Sequence, residues 1–307
     1  MAGEASHREF LDSAVLARLA RLTLDARRPM LGSVTGIHRS ATRGSSVEFA
    51  EYRKYAPGDD TRRLDWRVYA RTDRFYMKEF EADTNLRCLL VLDSSHSMDF
   101  AGRHGRKFDY ARKLAATLAY LLSHQGDAVG LTCFAERAVH DIPPRRSPAH
   151  LKHIFDTLAS VKPAGKTALL ETLHAIAEKV KRRALVIVIS DFFTDVGPLL
   201  DCFQHMRFQK HDLAVFHLLD RQELDFEFDR PIRFVDLESP FQMITDPVVV
   251  AAGYRAEIAR YLEDIQRGSR EFGVDYQRVT TDQDYEKVLA AFLIARLRGA
   301  PGAGGAR

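Results

Sequence analysis

Three short oxygen-bearing side chains, Asp93, Ser95 and Ser97, alternate along five residues directly after an apolar run. The stretch reads RCLLVLDSSHSM, from Arg87 to Met98. Carboxylates and hydroxyls are the hard oxygen ligands that Mg²⁺ prefers, at about 2.1 Å in a near-octahedral shell. Asp and Ser are also common turn residues. The spacing alone therefore leaves both a metal site and an ordinary turn open.

Two further oxygen-bearing residues occupy comparable places in the chain. Asp191 follows the apolar run ALVIVIS, and Thr167 lies in PAGKTALL just before a predicted helix. Taken singly, Thr167 is explained as a helix N-cap and Asp191 as a turn or N-cap residue. Together with the first stretch they favour a shared site for Mg²⁺, with Mn²⁺ or Ca²⁺ as alternatives. The predicted ligands are Asp93, Ser95, Ser97, Thr167 and Asp191.

The elements that must position these residues alternate between strand and helix over residues 85–298. Continuous apolar runs predict strands at 87–92, 128–134, 184–190, 213–219 and 274–280, with an edge strand near 136–142. Apolar residues at three-to-four spacing predict helices at 108–122, 148–159, 168–180, 196–206, 249–268 and 285–297. This order predicts an α/β fold with a doubly wound, mostly parallel sheet. Its ligand site is expected beyond the carboxyl ends of the strands.

Residues 1–84 have a different pattern and form a separate N-terminal segment in our interpretation. Residues 10–27 predict a helix, and the rest is expected to be β-rich or irregular and packed on the α/β domain. Trp66 would be its buried anchor, among arginines paired with nearby aspartates. A basic nucleic-acid patch is the alternative, which the interspersed acids disfavour. The Gly- and Ala-rich residues 299–307 predict a disordered tail.

Composition restricts the class of protein. The chain has 307 residues, 46% hydrophobic and 28% charged, and a formal net charge of +3, which by itself argues for neither nucleic acid nor membrane binding. The three cysteines are scattered and show neither a disulfide framework nor zinc spacing. The longest apolar run, residues 184–190, is too short to cross a bilayer. We therefore expect a cytoplasmic protein without a membrane span.

Two motifs that suggest an enzyme are incomplete. SVKPAGKT ends like a P-loop, but Ser160 stands at the first glycine position and a predicted helix precedes it. An aspartate after a strand also suggests a phosphatase nucleophile, yet Ser95 stands where a second acid would be expected. Because no complete catalytic constellation is present, we expect a protein that is not an enzyme. A metal-dependent hydrolase is the alternative.

The five predicted ligands resemble, in residue type and order, the metal-ion-dependent adhesion site of von Willebrand factor A domains. By this resemblance Ser95, Ser97 and sometimes Thr167 would coordinate the ion directly. Asp93 and Asp191 would often act through water, and an acidic side chain of a partner would complete the shell. The resemblance therefore implies a protein-interaction module.

The N-terminal segment carries a second resemblance. Residues 52–81, YRKYAPGDDTRRLDWRVYARTDRFYMKEFE, are similar to a segment that DUF58 proteins carry just before a von Willebrand A-like domain. The matching residues are Arg53, Tyr55, Gly58, Asp59, Arg62, Asp65, Trp66 and Arg71. This resemblance implies cooperation with a MoxR-type AAA+ ATPase in the assembly or maturation of other proteins. One position differs from many von Willebrand factor A domains, which have Gly after the last acid where this chain has Phe192.

Overall fold

The structure is a computed structural model that describes residues 10–20, 22, 24, 48–54, 68, 69, 71, 73, 76–81, 86–228, 232–238 and 242–299. Its contacts divide the chain into two compact units, one of residues 28–86 and one of residues 1–27 with 87–307. The described part of the smaller unit contains an antiparallel hairpin of β1 (Glu48–Lys54) and β2 (Tyr76–Glu81). The prediction for Trp66 lies outside the described residues. Of the predicted tail 299–307, Gly299 belongs to the last helix and residues 300–307 lie outside the described residues.

The larger unit is built around one six-stranded sheet with the order β12-β9-β8-β3-β6-β7. All neighbouring strands are parallel except β7, which is antiparallel to β6. The predicted α/β fold with a mostly parallel sheet is therefore confirmed. The strands are β3 (Arg87–Asp93), β6 (Ala128–Phe134), β7 (Ala138–Arg145), β8 (Leu185–Ser190), β9 (Asp212–Leu219) and β12 (Asp275–Thr280).

Helices accompany these strands, and each of them except Arg221–Asp225, for which there was no prediction, overlaps a predicted helix. They are α1 (Ser13–Leu19), α2 (Lys107–His124), α3 (Pro148–Ser160), α4 (Leu169–Lys179), α5 (Val196–Phe208), α6 (Arg221–Asp225), α7 (Pro247–Glu271) and α8 (Tyr285–Gly299). Every residue of β6, β8 and β9 is buried, because helices cover both faces of the sheet. The three cysteines are buried and unpaired. Among the described helices, none has the length and apolar character needed to cross a membrane.

Helix α1 lies in the larger unit, where the sequence interpretation had grouped it with the rest of residues 1–84. It packs on α2 and α8, and its Val15 and Leu19 are buried. The Arg18 guanidinium also pairs with the Glu286 carboxylate of α8, at 2.5 Å between Nε and Oε1. The amphipathic spacing of 10–27 indicated a helix but carried no information about which unit would bury its apolar face.

Short elements occupy regions that the sequence interpretation left irregular. Strands β4 (Ala101–Gly102) and β5 (Gly105–Arg106) form a small hairpin, and β10 (Ile232–Val235) pairs with β11 (Gln242–Thr245) in another. Strand β7 pairs irregularly with β6 around Pro143 and Pro144, and a Cβ on Gly130 would come within 2.7 Å of the Pro144 nitrogen. A glycine at position 130 is therefore required for this close approach.

Candidate metal centre

The end of β3 brings the first three predicted ligands together. The Ser95 amide donates to Oδ1 of Asp93 at 2.9 Å, which folds the chain back over the strand end. The chain then enters a short 3₁₀ turn, His96–Asp99. Within it the hydroxyls of Ser95 and Ser97 lie 3.0 Å apart. One carboxylate and two hydroxyls thus face one small volume.

The loop before α4 adds Thr167 to this group. Backbone hydrogen bonds from Ala164 to Ser94 (2.9 Å) and from His96 to Gly165 (2.8 Å) join the two loops. The Thr167 hydroxyl donates to Oδ2 of Asp93 at 3.4 Å. The alternative explanation as a helix N-cap is wrong, because the residue at the N-cap of α4 is Ala168.

Asp191 follows β8 and has a protein cation as its partner. Its Oδ2 lies 2.8 Å from Nζ of Lys107, and both side chains are almost fully buried. The same ammonium lies 2.8 Å from Oε1 of Glu223 in α6. Asp191 is not a helix cap, since the N-cap of α5 is Asp195. The structure thus links four predicted ligands by direct hydrogen bonds, and ties the fifth to Lys107.

Ser190, the last residue of β8, was missed by the sequence interpretation although it supports the centre. Its hydroxyl donates to Oδ2 of Asp93 at 2.7 Å and accepts from the amide of Phe192 at 3.0 Å. Phe192 has a φ of +52°, in the left-handed region that favours glycine. The position where many von Willebrand A-like domains have Gly thus keeps the left-handed conformation here with a buried phenylalanine.

The charges of the centre do not balance. Burial, together with the nearby Asp191 carboxylate, raises the pKa of Asp93 to about 7. Burial also raises the pKa of Glu223. Burial lowers the pKa of Lys107, but the charges of Asp191 and Glu223 outweigh this, so the net direction is upward. Among the described residues, the carboxyl groups of Asp93, Asp191 and Glu223 lie around the ammonium of Lys107, which contacts only the last two. A hard cation would fit both this excess of carboxyl groups and the oxygen donors.

A fourth carboxylate, Glu238, comes from the loop after β10. Its Oε1 accepts the amide of Ser97 at 3.3 Å and its Oε2 accepts the amide of Thr167 at 2.9 Å. No sequence signal pointed to Glu238, which is 71 residues from Thr167 and outside every motif. Only the fold brings it to the loops that carry the predicted ligands.

The donor set depends on hydroxyls. In the part of the chain that the structure describes, no group of three or more His, Cys, Asp or Glu side chains is placed to hold a metal ion. An ion at this centre would therefore need the oxygens of Ser95, Ser97 and Thr167 in addition to carboxylates. Such a set suits Mg²⁺, which keeps several waters in its shell.

Comparisons with known proteins show relatives along almost the whole chain. Uncharacterized proteins of Mycobacterium bovis and Mycobacterium tuberculosis are each 29% identical over 302 residues, covering 94% of this chain and 92% of the relative. This match extends through both compact units.

Solved structures with a similar fold are more distant. They include an aerotolerance-related membrane protein from Bacteroides fragilis (16% identity, TM-score 0.45) and the conserved hypothetical protein BatB from Bacteroides thetaiotaomicron (16%, 0.46). Each likeness covers 70% of this chain and 100% of the other. The SpRpn10 VWA domain has 10% identity and a TM-score of 0.41, over 73% of this chain and 100% of that one. No ligand or partner is carried over from these distant likenesses.

The sequence pattern of one family covers most of the chain. It matches residues 51–264, which include β2 and the second half of β1 in the smaller unit and the strand ends that carry the candidate centre. The family is described as a protein of unknown function, DUF58. Because the match spans more than half of the sequence, the chain belongs to the DUF58 family.

Proposed function

We propose that this protein is an interaction module that acts by binding rather than by catalysis, through a cation held at the end of β3. The observation that carries the proposal is Asp93, a fully buried carboxylate that contacts the hydroxyls of Ser190 and Thr167 and lies near a second carboxylate. A buried charge needs a compensating charge. The ammonium of Lys107 is already shared by two other carboxylates.

The residues of the chain divide the work in this proposal. Ser95, Ser97 and Thr167 would hold the ion through their hydroxyls, and Asp93 would orient those hydroxyls and supply negative charge. Asp191 is tied to Lys107 and would act through water, as the resemblance to von Willebrand A domains implies. Mg²⁺, when bound, supplies a positive charge that attracts an acidic side chain of a partner.

The partner class in this proposal comes from the family resemblance. A MoxR-type AAA+ ATPase, or a client protein of that ATPase, would present the acidic residue. The module would then serve as an adaptor in protein assembly or maturation. The support from the molecule itself is the position of the centre at the carboxyl ends of parallel strands, where an α/β sheet exposes its loops.

The test is capture of partners from the native cell. Tagged wild type, Asp93→Ala and Ser95→Ala/Ser97→Ala are incubated with lysate, each with Mg²⁺ or with EDTA, and bound proteins are identified by mass spectrometry. We expect the wild type in Mg²⁺ to capture a MoxR-type ATPase or its client, and we expect no capture by the two variants or by the wild type in EDTA. Ser147→Ala, which removes the N-cap of α3 away from the centre, should still capture it.

Two results would contradict the proposal. Equal capture by all three proteins, with and without EDTA, would mean that the interaction does not depend on the ion. Turnover of p-nitrophenyl phosphate that needs both Mg²⁺ and Asp93 would favour the hydrolase alternative instead. Circular dichroism of each variant shows whether a lost interaction reflects the site or the fold.

A further inference from the structure

We infer that the backbone amides of Ser97 and Thr167 form a carboxylate-binding seat, and that the chain's own Glu238 fills it until a partner's acidic side chain replaces it. The inference rests on the proposed function for the nature of the incoming group. The seat itself rests only on hydrogen bonds within the chain.

The geometry of Glu238 is that of a bound ligand. Each of its two carboxylate oxygens accepts an amide from a different loop, at 3.3 Å from Ser97 and 2.9 Å from Thr167. Hydrogen bonds from amides to an ionised carboxylate are about twice as strong as neutral ones. Two such bonds from separate loops specify a carboxylate rather than a single carbonyl oxygen.

The position of the seat relates it to the candidate metal centre. Its two amides belong to Ser97 and Thr167, whose hydroxyls are proposed ligands of the ion. A carboxylate held by these amides therefore lies beside the group that would hold the cation.

The chain delivers Glu238 from an anchored hairpin. Phe234 of β10 stacks on Phe226 with ring centroids 5.2 Å apart, and Phe226 stacks on Tyr254 of α7 at 4.3 Å. Beyond this aromatic anchor, the Glu238 amide donates to Oδ1 of Asp236 at 2.9 Å, which closes a short turn. Glu238 can therefore leave the seat while the aromatic anchor stays packed.

An internal ligand competes with any external one. The affinity for a partner's acid falls in proportion to the fraction of molecules in which the seat is free. Because a tethered group has a high effective concentration, even weak binding by Glu238 reduces that fraction. Removing the Glu238 carboxylate should therefore increase the affinity for a free carboxylate.

The experiment follows the two amides directly. Amide signals of Ser97 and Thr167 are recorded by ¹⁵N-TROSY NMR in full-length wild type, Glu238→Ala and Glu238→Gln, with Glu263→Ala as an exposed control on α7. Sodium acetate is the carboxylate probe, titrated in EDTA and in Mg²⁺ against sodium chloride of equal ionic strength.

We expect both Glu238 variants to shift these two signals, and the control to leave them unchanged. Acetate should then saturate Glu238→Ala at a concentration lower by on the order of tenfold than wild type. Identical spectra of wild type and Glu238→Ala, or equal acetate titrations, would overturn the inference. If acetate binds Glu238→Ala equally well in EDTA and in Mg²⁺, the seat stands and the metal bridge of the proposed function fails.

Discussion

The ammonium of Lys107 and the carboxylate of Asp191 form a buried ion pair, with Nζ 2.8 Å from Oδ2. The pair joins the first turn of α2 to the end of β8. Glu223 of α6 contacts the same ammonium, so one lysine holds three elements around the candidate centre. The cation is also near aromatic faces, 5.1 Å from the ring centre of Phe193 and 5.7 Å from that of Phe100.

Lys107→Met should destabilise the fold strongly, because it leaves the buried Asp191 and the half-buried Glu223 without their shared cation. Breaking a buried ion pair in this way costs about 3–5 kcal/mol. Urea denaturation in EDTA measures the loss. Lys152→Met, at an exposed position on α3, is the control and should change the free energy of unfolding by less than about 0.5 kcal/mol. A Lys107→Met variant as stable as this control would contradict the structural role of the pair.

Phe192→Gly should be more stable than Phe192→Ala, the reverse of the usual order. Both lose the buried ring, but Ala keeps the left-handed conformation, which costs a non-glycine residue about 1–2 kcal/mol. Phe193 does not have a positive φ, so the usual order should hold there. Phe193→Gly should be less stable than Phe193→Ala. Denaturant unfolding gives the free energy of unfolding of all four variants. If the Ala variant is the more stable one at both positions, the left-handed conformation of residue 192 carries no strain.

Mg²⁺ or Mn²⁺ should raise the melting temperature of protein purified through a chelator. An ion at a hundred times its dissociation constant stabilises the folded state by about 2.7 kcal/mol. Ser95→Ala/Ser97→Ala should lose most of this increase, because the ion loses two hydroxyl ligands. Ser147→Ala should melt lower from the outset, since it loses a helix cap, yet keep the increase. Differential scanning fluorimetry measures these melting temperatures. A wild-type melting temperature that is the same with and without the ions would argue against the metal centre.

Acidification should weaken the fold through His211. The ring is fully buried, its Nδ1 accepts the Ala184 amide at 3.2 Å, and burial lowers its pKa. In the unfolded chain His211 takes up a proton near pH 6.5, whereas in the folded chain it takes one up only at lower pH. The stabilisation of the fold by neutral His211 is therefore complete above about pH 6.5 and is lost as the pH falls below that value.

The measurement for His211 compares unfolding free energies of wild type and His211→Asn between pH 7.5 and 5. Asp93 contributes a slope of opposite sign in this range, because its pKa is raised on folding, so the difference between variants is the relevant quantity. Wild type should lose more stability on acidification than His211→Asn. The exposed His104→Asn serves as control and should follow wild type.

Much of the fold could be predicted because its signals are local. The run 128–134 is apolar apart from Thr132 and became β6 with the same bounds, since both faces of that strand are covered. Gly126, with a φ of +81°, directly follows the C-cap of α2, where a helix end favours glycine. Strand order also predicted that Asp93 and Asp191 would lie near each other, because they end neighbouring parallel strands at the same edge of the sheet. Thr167 lies in a loop between two helices, and its approach to Asp93 is a product of tertiary packing.

The partners of these residues could not be predicted for a physical reason. Lys107 reads as an ordinary polar residue at a helix start, and its burial depends on Glu223, which is 116 residues away. Glu238 lies in a loop, and nothing in its neighbours specifies the amides that it accepts. Ser190 is the last residue of an apolar strand. Its hydrogen bond to Asp93 exists only because β8 is the neighbour of β3 in the sheet. Such contacts follow from tertiary packing, which periodicity does not encode.

The two prolines of β7 have a consequence for how this molecule can associate. Proline has no amide hydrogen, so Pro143 and Pro144 cannot donate to a further strand laid along that outer margin of the sheet. Fibril-like stacking and strand exchange between copies are disfavoured there. Under the proposed function, a partner would therefore be recognised by side chains and amides of the loops rather than by strand pairing along β7, and a single loop substitution could change what is recognised while the architecture stays the same.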